Sequence, residues 1–230
     1  DLRNPRSFQF NFTLASNKLM TIANGDTNWT LRSNPHPTVS KLGRIELTSG
    51  STNVVILSSS YHSLFGDELL NVTLRNYDTY ASLLVSQVEG EDIIFSSSMA
   101  ESVGVNKFVP LWQSTNNIYI GGSGSLATNR FDGTIDEVRL WGINLSDEAV
   151  MNTAFDPSSN AGDSYTDAAT SLYVQLSFNK IITSLLPVYV TNESPYTGKL
   201  TSPAIDIIRV FNITTNSFSR YNRTIRQGTL

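Results

Sequence analysis

Asn129-Arg-Phe-Asp-Gly-Thr-Ile-Asp-Glu-Val-Arg-Leu-Trp141 is the stretch from which the fold is read, and it lies inside a longer run from Ile118 to Phe155. Ahead of it, Ile118-Tyr-Ile120 is a short β-type run ending at Gly121-Gly122. Ser123 to Arg130 is polar and Gly-bearing, which predicts a loop. From Phe131 the residues alternate. Phe131, Gly133, Ile135, Glu137, Arg139 and Trp141 fall on one side; Asp132, Thr134, Asp136, Val138 and Leu140 fall on the other. Period two is the period of a strand. Neither side is cleanly apolar, because Glu137 and Arg139 share a side with Phe131, Ile135 and Trp141, and a bulge or bend near Asp136-Glu137 would reconcile the pattern. Asn144 to Phe155 then changes style. Ser146 is placed to cap a helix, Asp147 and Glu148 complement the positive end of its dipole, and Asp156-Pro157 stops it.

This order of apolar strand, Gly loop, Phe-Asp-Gly-x-Ile-Asp-Glu-Val-Arg-Leu-Trp strand and Leu-Ser-Asp-Glu helix resembles the closing segment of laminin G-like, or concanavalin A-like, jelly-roll domains, a group that includes the pentraxins. The resembling residues are Ile118 to Gly122 and Phe131 to Phe155. The resemblance implies two packed antiparallel sheets and functions that are mostly binding: to sugars, to other proteins, or to self.

Composition bounds the rest. The 230 residues fit one large β-sandwich or two small domains, and 40% hydrophobic residues suffice for a core. A net charge of −4 and a pI near 5.1 argue against nucleic acid or an anionic membrane as partner. Charged residues are only 16%, which suits the exterior of an extracellular β-protein. Cysteine is absent, so stability must come from core burial, neighbouring domains or subunits. Cysteine-free extracellular chains point to a microbial, viral or algal surface. No apolar run has membrane-spanning length, and no signal peptide precedes Asp1-Leu-Arg, the pattern of a mature or excised fragment. Asn-x-Ser/Thr triplets begin at Asn11, Asn28, Asn71, Asn144, Asn192, Asn212 and Asn222. They would accept N-glycans in a eukaryotic secretory pathway, although roughly five such triplets are expected from composition alone.

Along the chain, Phe8, Phe10, Phe12 and Leu14 alternate with Gln9, Asn11 and Thr13, predicting a half-buried strand with Asn11 on its solvent face. Further strands are expected at 19–22, from Trp29 through Leu31, at 42–47, 53–57, 69–74, 81–88, 93–95, 107–112 and 118–120. Asn34-Pro-His-Pro37 reads as a loop, and Glu89-Gly-Glu-Asp92 as a turn. The sandwich is assigned to residues 1–157, with its closing segment at 118–155, and a polar linker to 158–170. Leu172 to Asn179 and Ser194 to Leu200 resemble the opening of a jelly-roll domain, so the chain carries an end before a beginning. Residues 171–230 then either close the same domain or complete a neighbouring copy by strand complementation. Repeated head to tail, the second arrangement gives a fibre or surface array. Ile205, Ile207, Val210 and Ile213 are the candidate self-association residues, in a tail made basic by Arg209, Arg220, Arg223 and Arg226.

Chemical motifs are sparse. Asp136 and Glu137 resemble part of the acidic cluster of laminarinase-type glucanases, but the flanking carboxylates of Glu-x-Asp-x-x-Glu are missing. Pairing of Asp136 or Glu137 with Arg139 or a loop amide is the stronger reading, and no catalytic residue is assigned. Calcium, which the resembled domains often bind, has candidate ligands at Glu89, Glu91 and Asp92, with Asp67, Glu68 and Asp163 further off and no standard spacing among them. His36 and His62, the two histidines, stand apart in separate loops, which disfavours zinc or a catalytic triad. Trp29 and Trp141 are expected in the core, and Trp112 is the candidate sugar platform. The sequence therefore predicts an all-β antiparallel jelly-roll sandwich with one short helix near 146–155. Its expected role is a non-catalytic, extracellular or virion-surface structural or adhesive module that self-associates. A lectin-like carbohydrate-binding domain, with or without calcium, is the alternative, and a glycoside hydrolase a distant one.

Overall fold

The computed structural model describes residues 6–25, 29–49, 54–66, 68–77, 80–89, 92–101, 118–121, 129, 131–156, 159, 161–164, 170–176, 181–182, 189–191 and 207–209. These form an all-β antiparallel sandwich with one short helix. The strands are β1 (Ser7–Leu14), β2 (Met20–Gly25), β3 (Trp29–Pro35), β4 (Leu42–Ser49), β5 (Val55–Ser58), β6 (His62–Ser63), β7 (Leu70–Asn76), β8 (Tyr80–Glu89), β9 (Asp92–Glu101), β10 (Ile118–Ile120) and β11 (Gly133–Trp141). Helix α1 (Asp147–Phe155) follows, then β12 (Leu172–Leu176). One sheet has the order β12-β11-β1-β7-β8-β9. The other has the order β10-β2-β3-β4-β5, with β6 paired to β4. A small third sheet joins β13 (Ile181–Ile182), β14 (Tyr189–Thr191) and β15 (Ile207–Arg209).

The core is the space between the two large sheets. Phe8, Phe10, Phe12 and Leu14 of β1 meet Met20, Ile22, Trp29, Leu31, Ile45 and Leu47 of the other sheet there. Ring centroids of Phe8 and Phe10 lie 5.1 Å apart, and the edge of Trp29 meets Phe8 at 6.4 Å. Full burial of such side chains contributes about 1.5–3 kcal/mol each, which is how a chain without disulfides reaches stability.

β11 closes the six-stranded sheet against β1. Asp132 accepts hydrogen bonds from Ser16 Oγ and Lys18 Nζ, and its backbone carbonyl accepts from Ala15. The Ser16 bond outweighs partial burial and, with Lys18, lowers the Asp132 pKa. Gly133 comes next because the Thr13 carbonyl of β1 occupies the space a Cβ would need. Beyond it the ladder shifts register. Thr13 pairs with Thr134 and Asn11 with Asp136, but Gln9 pairs with Arg139. Glu137 and Val138 thus stand together opposite Phe10, and Glu137 has a left-handed φ of 51°. This is the bulge that the mixed alternation calls for. It leaves Ile135, Val138 and Leu140 toward the core, and Asp136, Glu137, Arg139 and Trp141 on the outer side.

The helix starts where its cap residues place it. Ser146 Oγ accepts from the Ala149 N–H at 3.1 Å, and Asp163 accepts the N–H of Ser146 itself. Several boundaries differ from the sequence reading: β2 runs on to Gly25, Glu89 and Asp92 of the expected turn are the terminal residues of β8 and β9, and His62 lies in β6 rather than in a loop. β3 continues through Pro35, paired with Gly43, into the expected loop, and β9 runs through Glu101 rather than ending at Phe95. Residues 107–112 lie outside the described residues. β12 pairs with β11 of its own chain, from Val138↔Leu176 to Trp141↔Leu172. No helix among the described residues is long and apolar enough to cross a membrane.

His62 opposes Gly43 and is buried, with neither ring nitrogen partnered among the described residues. Burial lowers its pKa from the ordinary 6.5, because the imidazolium loses hydration. The unfolded chain therefore binds the proton more readily than the folded one. The neutral ring's contribution is complete above pH 6.5 and is lost as pH falls through the folded pKa. Urea unfolding at pH 7.5 and 5.5 should show a loss of stability at the lower pH that is smaller in His62→Phe; an equal loss in both proteins contradicts the assignment.

Candidate functional site

The outer side of the six-stranded sheet is polar and nonetheless buried. Three rows of side chains cross it at successive register positions. The row nearest the helix runs Leu172, Trp141, Ser7, Arg75, Ser82. The middle row runs Gln175, Arg139, Gln9, Thr73, Leu84. The third runs Asp136, Asn11, Asn71, Ser86.

The first row is sealed by the segment after β11. Ser7 Oγ donates to the Ile143 carbonyl at 2.8 Å and accepts from the Leu145 N–H at 3.1 Å. Arg75 donates from Nε to Ser82 Oγ and from Nη1 to the Leu145 carbonyl, and its Nη2 lies 2.8 Å from Asp147 in the first turn of α1. Trp141, Leu172 and Leu84 pack under Leu145, Ala149 and Val150 as a second apolar cluster. The tryptophan is thus core, although its core is the one beneath the helix.

Apart from Leu84, the other two rows hold hydrogen-bonding groups in place of apolar ones. Arg139 Nη2 donates to Glu137 Oε2 at 2.9 Å, and Gln175 Nε2 donates to the same oxygen at 3.3 Å. Both ionised side chains are almost wholly inaccessible. The Glu137 N–H donates to Asp136 Oδ1 at 2.9 Å, a local bond that supports the left-handed turn of the bulge. Asn71 Nδ2 donates to Asn11 Oδ1 at 2.7 Å, and Thr73 Oγ1 donates to Asn71 Oδ1 at 3.4 Å. Gln9 is fully buried, and neither atom of its amide finds a partner among the described residues. Asn11 Nδ2 and Ser86 Oγ are in the same condition. Buried polar atoms require partners, from protein or from ordered water.

The sequence candidates are distributed differently. Asn11 and Asn71 stand in the third row, hydrogen-bonded to each other, and Asn11 is 1% exposed instead of facing solvent. Alternation separated its two faces correctly, but the polar face is buried as well. Asn144 is half-buried; Asn28, Asn192, Asn212 and Asn222 lie outside the described residues, as do Trp112, Ile205, Val210, Ile213 and Glu91. Ile207 begins β15, paired with Thr191. Glu89 and Asp92 pair at the end of the β8–β9 hairpin. Among the described residues no three His, Asp or Glu side chains group as metal ligands. Of the other acids, Asp67 is outside the described residues, Glu68 accepts from Gln87, and Asp163 serves the helix N-terminus. Asp136 and Glu137 adjoin, but both carboxylates are engaged: Asp136 by the bulge N–H, Glu137 by Arg139 and Gln175. Gln9, Ser86 and Gln175 escape sequence reasoning. Their one signal is that β1, β7 and β8 carry no lysine on their polar side, unlike a solvated face.

No family model and no curated protein matches the chain. Among solved structures it is similar to the enzymatically active domain of bacteriophage CBA120 tailspike protein 2, at 11% identity and a TM-score of 0.44, over 67% of this chain and 25% of that one. It is also similar to full-length tailspike protein 2 from an Escherichia coli bacteriophage, CAB120, at 11% identity and a TM-score of 0.49, over 76% of this chain and 24% of that one. The chain spans about a quarter of the length of these tailspike chains.

The Glu137–Arg139 pair yields a direct test of the layer's energetics. Removing one member of a buried ion pair leaves the other charge uncompensated, at about 3–5 kcal/mol. Arg139→Met should therefore lower the urea-unfolding free energy by roughly that amount. A loss below about 1 kcal/mol would place the pair in solvent.

Proposed function

We propose that this chain is a non-catalytic binding module of an extracellular or virion surface, and that the outer side of its six-stranded sheet receives a hydroxyl-rich ligand, a glycan. One observation carries this reading: Gln9, Asn11 and Ser86 are buried on one face of the sheet with donors and acceptors unpartnered among the described residues. An amide offers a donor and an acceptor a short distance apart, which matches the paired hydroxyls of a sugar ring. A hydroxyl that bonds one of these groups meets a donor or acceptor that no described residue engages. The engagement of Asp136 and Glu137 supports binding over hydrolysis, since neither carboxylate is set apart as acid or nucleophile.

Self-association is the second reading, favoured by the position of β12. Among the described residues it is the end strand of its sheet, paired with β11 and delivered after the helix. Exchanged between copies, it would make the same hydrogen bonds in trans and link chains head to tail.

Glycan-array screening followed by calorimetry tests the first reading. The expected result is saturable binding that Gln9→Leu weakens by about tenfold, or 1.4 kcal/mol, while the unfolding transition stays cooperative. Absence of glycan binding, or binding untouched by the substitution, overturns it. Release of reducing sugar, lost in Asp136→Asn, would make the chain a hydrolase instead.

A further inference from the structure

The opposite side of the sandwich carries a second polar cluster, on the outer side of β3 and β4. Glu46 lies at its centre and is fully buried. Its Oε2 accepts from Arg32, at 2.9 Å from both Nε and Nη2. Its Oε1 accepts from Asn34 Nδ2 at 2.8 Å and from Arg44 through Nε at 2.8 Å and Nη2 at 2.7 Å. Burial acts to raise the Glu46 pKa, but the bonds from Asn34 and Arg32 and the two guanidinium charges prevail and lower it. One carboxylate, saturated, thus holds two permanent cations, and the cluster keeps a positive charge in a chain whose net charge is −4.

An aromatic group borders this charge. Tyr61 is 44% exposed, with the Arg44 guanidinium carbon 5.6 Å from its ring centroid and the His36 ring 4.6 Å away, edge-on at 69°. His36 Nδ1 accepts the backbone N–H groups of Thr38 at 3.2 Å and Val39 at 3.1 Å. That bonding commits the Nδ1 lone pair and leaves the proton of the neutral ring on Nε2. The patch therefore offers solvent an aromatic surface, a guanidinium and an imidazole N–H donor, while its carboxylate is spent on the arginines.

We propose that Tyr61, Arg44 and His36 form a second ligand site, for an acidic saccharide. The sugar ring would lie on Tyr61, and its carboxylate would face Arg44 and the His36 Nε2–H. A neutral sugar would gain the stacking contact without the ionic one, and a free anion the reverse. This site is independent of the amide layer, from which the whole thickness of the sandwich separates it.

Calorimetric titration with a hyaluronan tetrasaccharide, which carries uronic acid carboxylates, and with the neutral cellotetraose tests the proposal. The acidic probe should bind at least about tenfold more tightly than the neutral one, and less tightly as salt is raised. Tyr61→Ala should weaken it by about tenfold, whereas Tyr61→Phe and Gln9→Leu should leave it unchanged. The tyrosine is exposed, so its truncation leaves the fold intact. Binding of neither probe, equal binding of both, or insensitivity to Tyr61→Ala overturns the proposal. Loss of acidic-probe binding in Gln9→Leu alone would assign it to the amide layer.

Discussion

Opposite Phe10, β11 places two residues where β1 has one, and the outer face of the sheet depends on that extra residue. With Glu137 inserted, the alternation before and after it can face the same way. Ile135, Val138 and Leu140 all reach the core, while Asp136, Arg139 and Trp141 all point outward. A regular strand would have turned Arg139 and Trp141 into the sandwich, because a one-residue slip exchanges the faces. The left-handed φ of Glu137 is unfavourable for a side chain with a Cβ. The surrounding bonds hold it: Asp136 takes its N–H, and Arg139 and Gln175 take its carboxylate.

From this bulge the two halves of the outer face diverge. Toward α1, Trp141 enters an apolar cluster, and Ser7 and Arg75 stitch the helix-leading segment to the sheet through backbone carbonyls and N–H groups. Away from it, amides and a buried ion pair replace hydrocarbon. Such a layer adds little net stability, since the desolvation of Glu137 and Arg139 offsets most of their attraction. Among the described residues, Gln9, Asn11 and Ser86 keep donors and acceptors there without a partner. The cluster around Glu46 contrasts with it. There every carboxylate lone pair is engaged, and the chemistry left over belongs to cations and to the Tyr61 ring.

Local order was legible in the sequence because local physics sets it. The Ser146 cap, the acidic first turn and the alternating phenylalanines of β1 each need only neighbouring residues to declare themselves. The mixed faces of 131–141 even required a bulge near Asp136-Glu137, though not its register against Phe10. What covers a polar face is a tertiary fact. Asn11, with solvent-face spacing, is buried against Asn71, 60 positions away. Tyr61 became a neighbour of both Arg44 and His36 only when β3, β4 and β6 paired. Neither site has a spacing in sequence that could announce it.

The most direct test is the unfolding free energy of a chain with Glu137 deleted in an Arg139→Met background, compared with the parent in urea. Removing the inserted residue leaves a strictly alternating strand, and the methionine removes the charge that would otherwise stay buried alone. The account predicts a cooperative transition within about 2 kcal/mol of the parent. A loss above about 4 kcal/mol, or a non-cooperative transition, would show that Glu137 is an ordinary ladder residue and that the outer face is organised by something else.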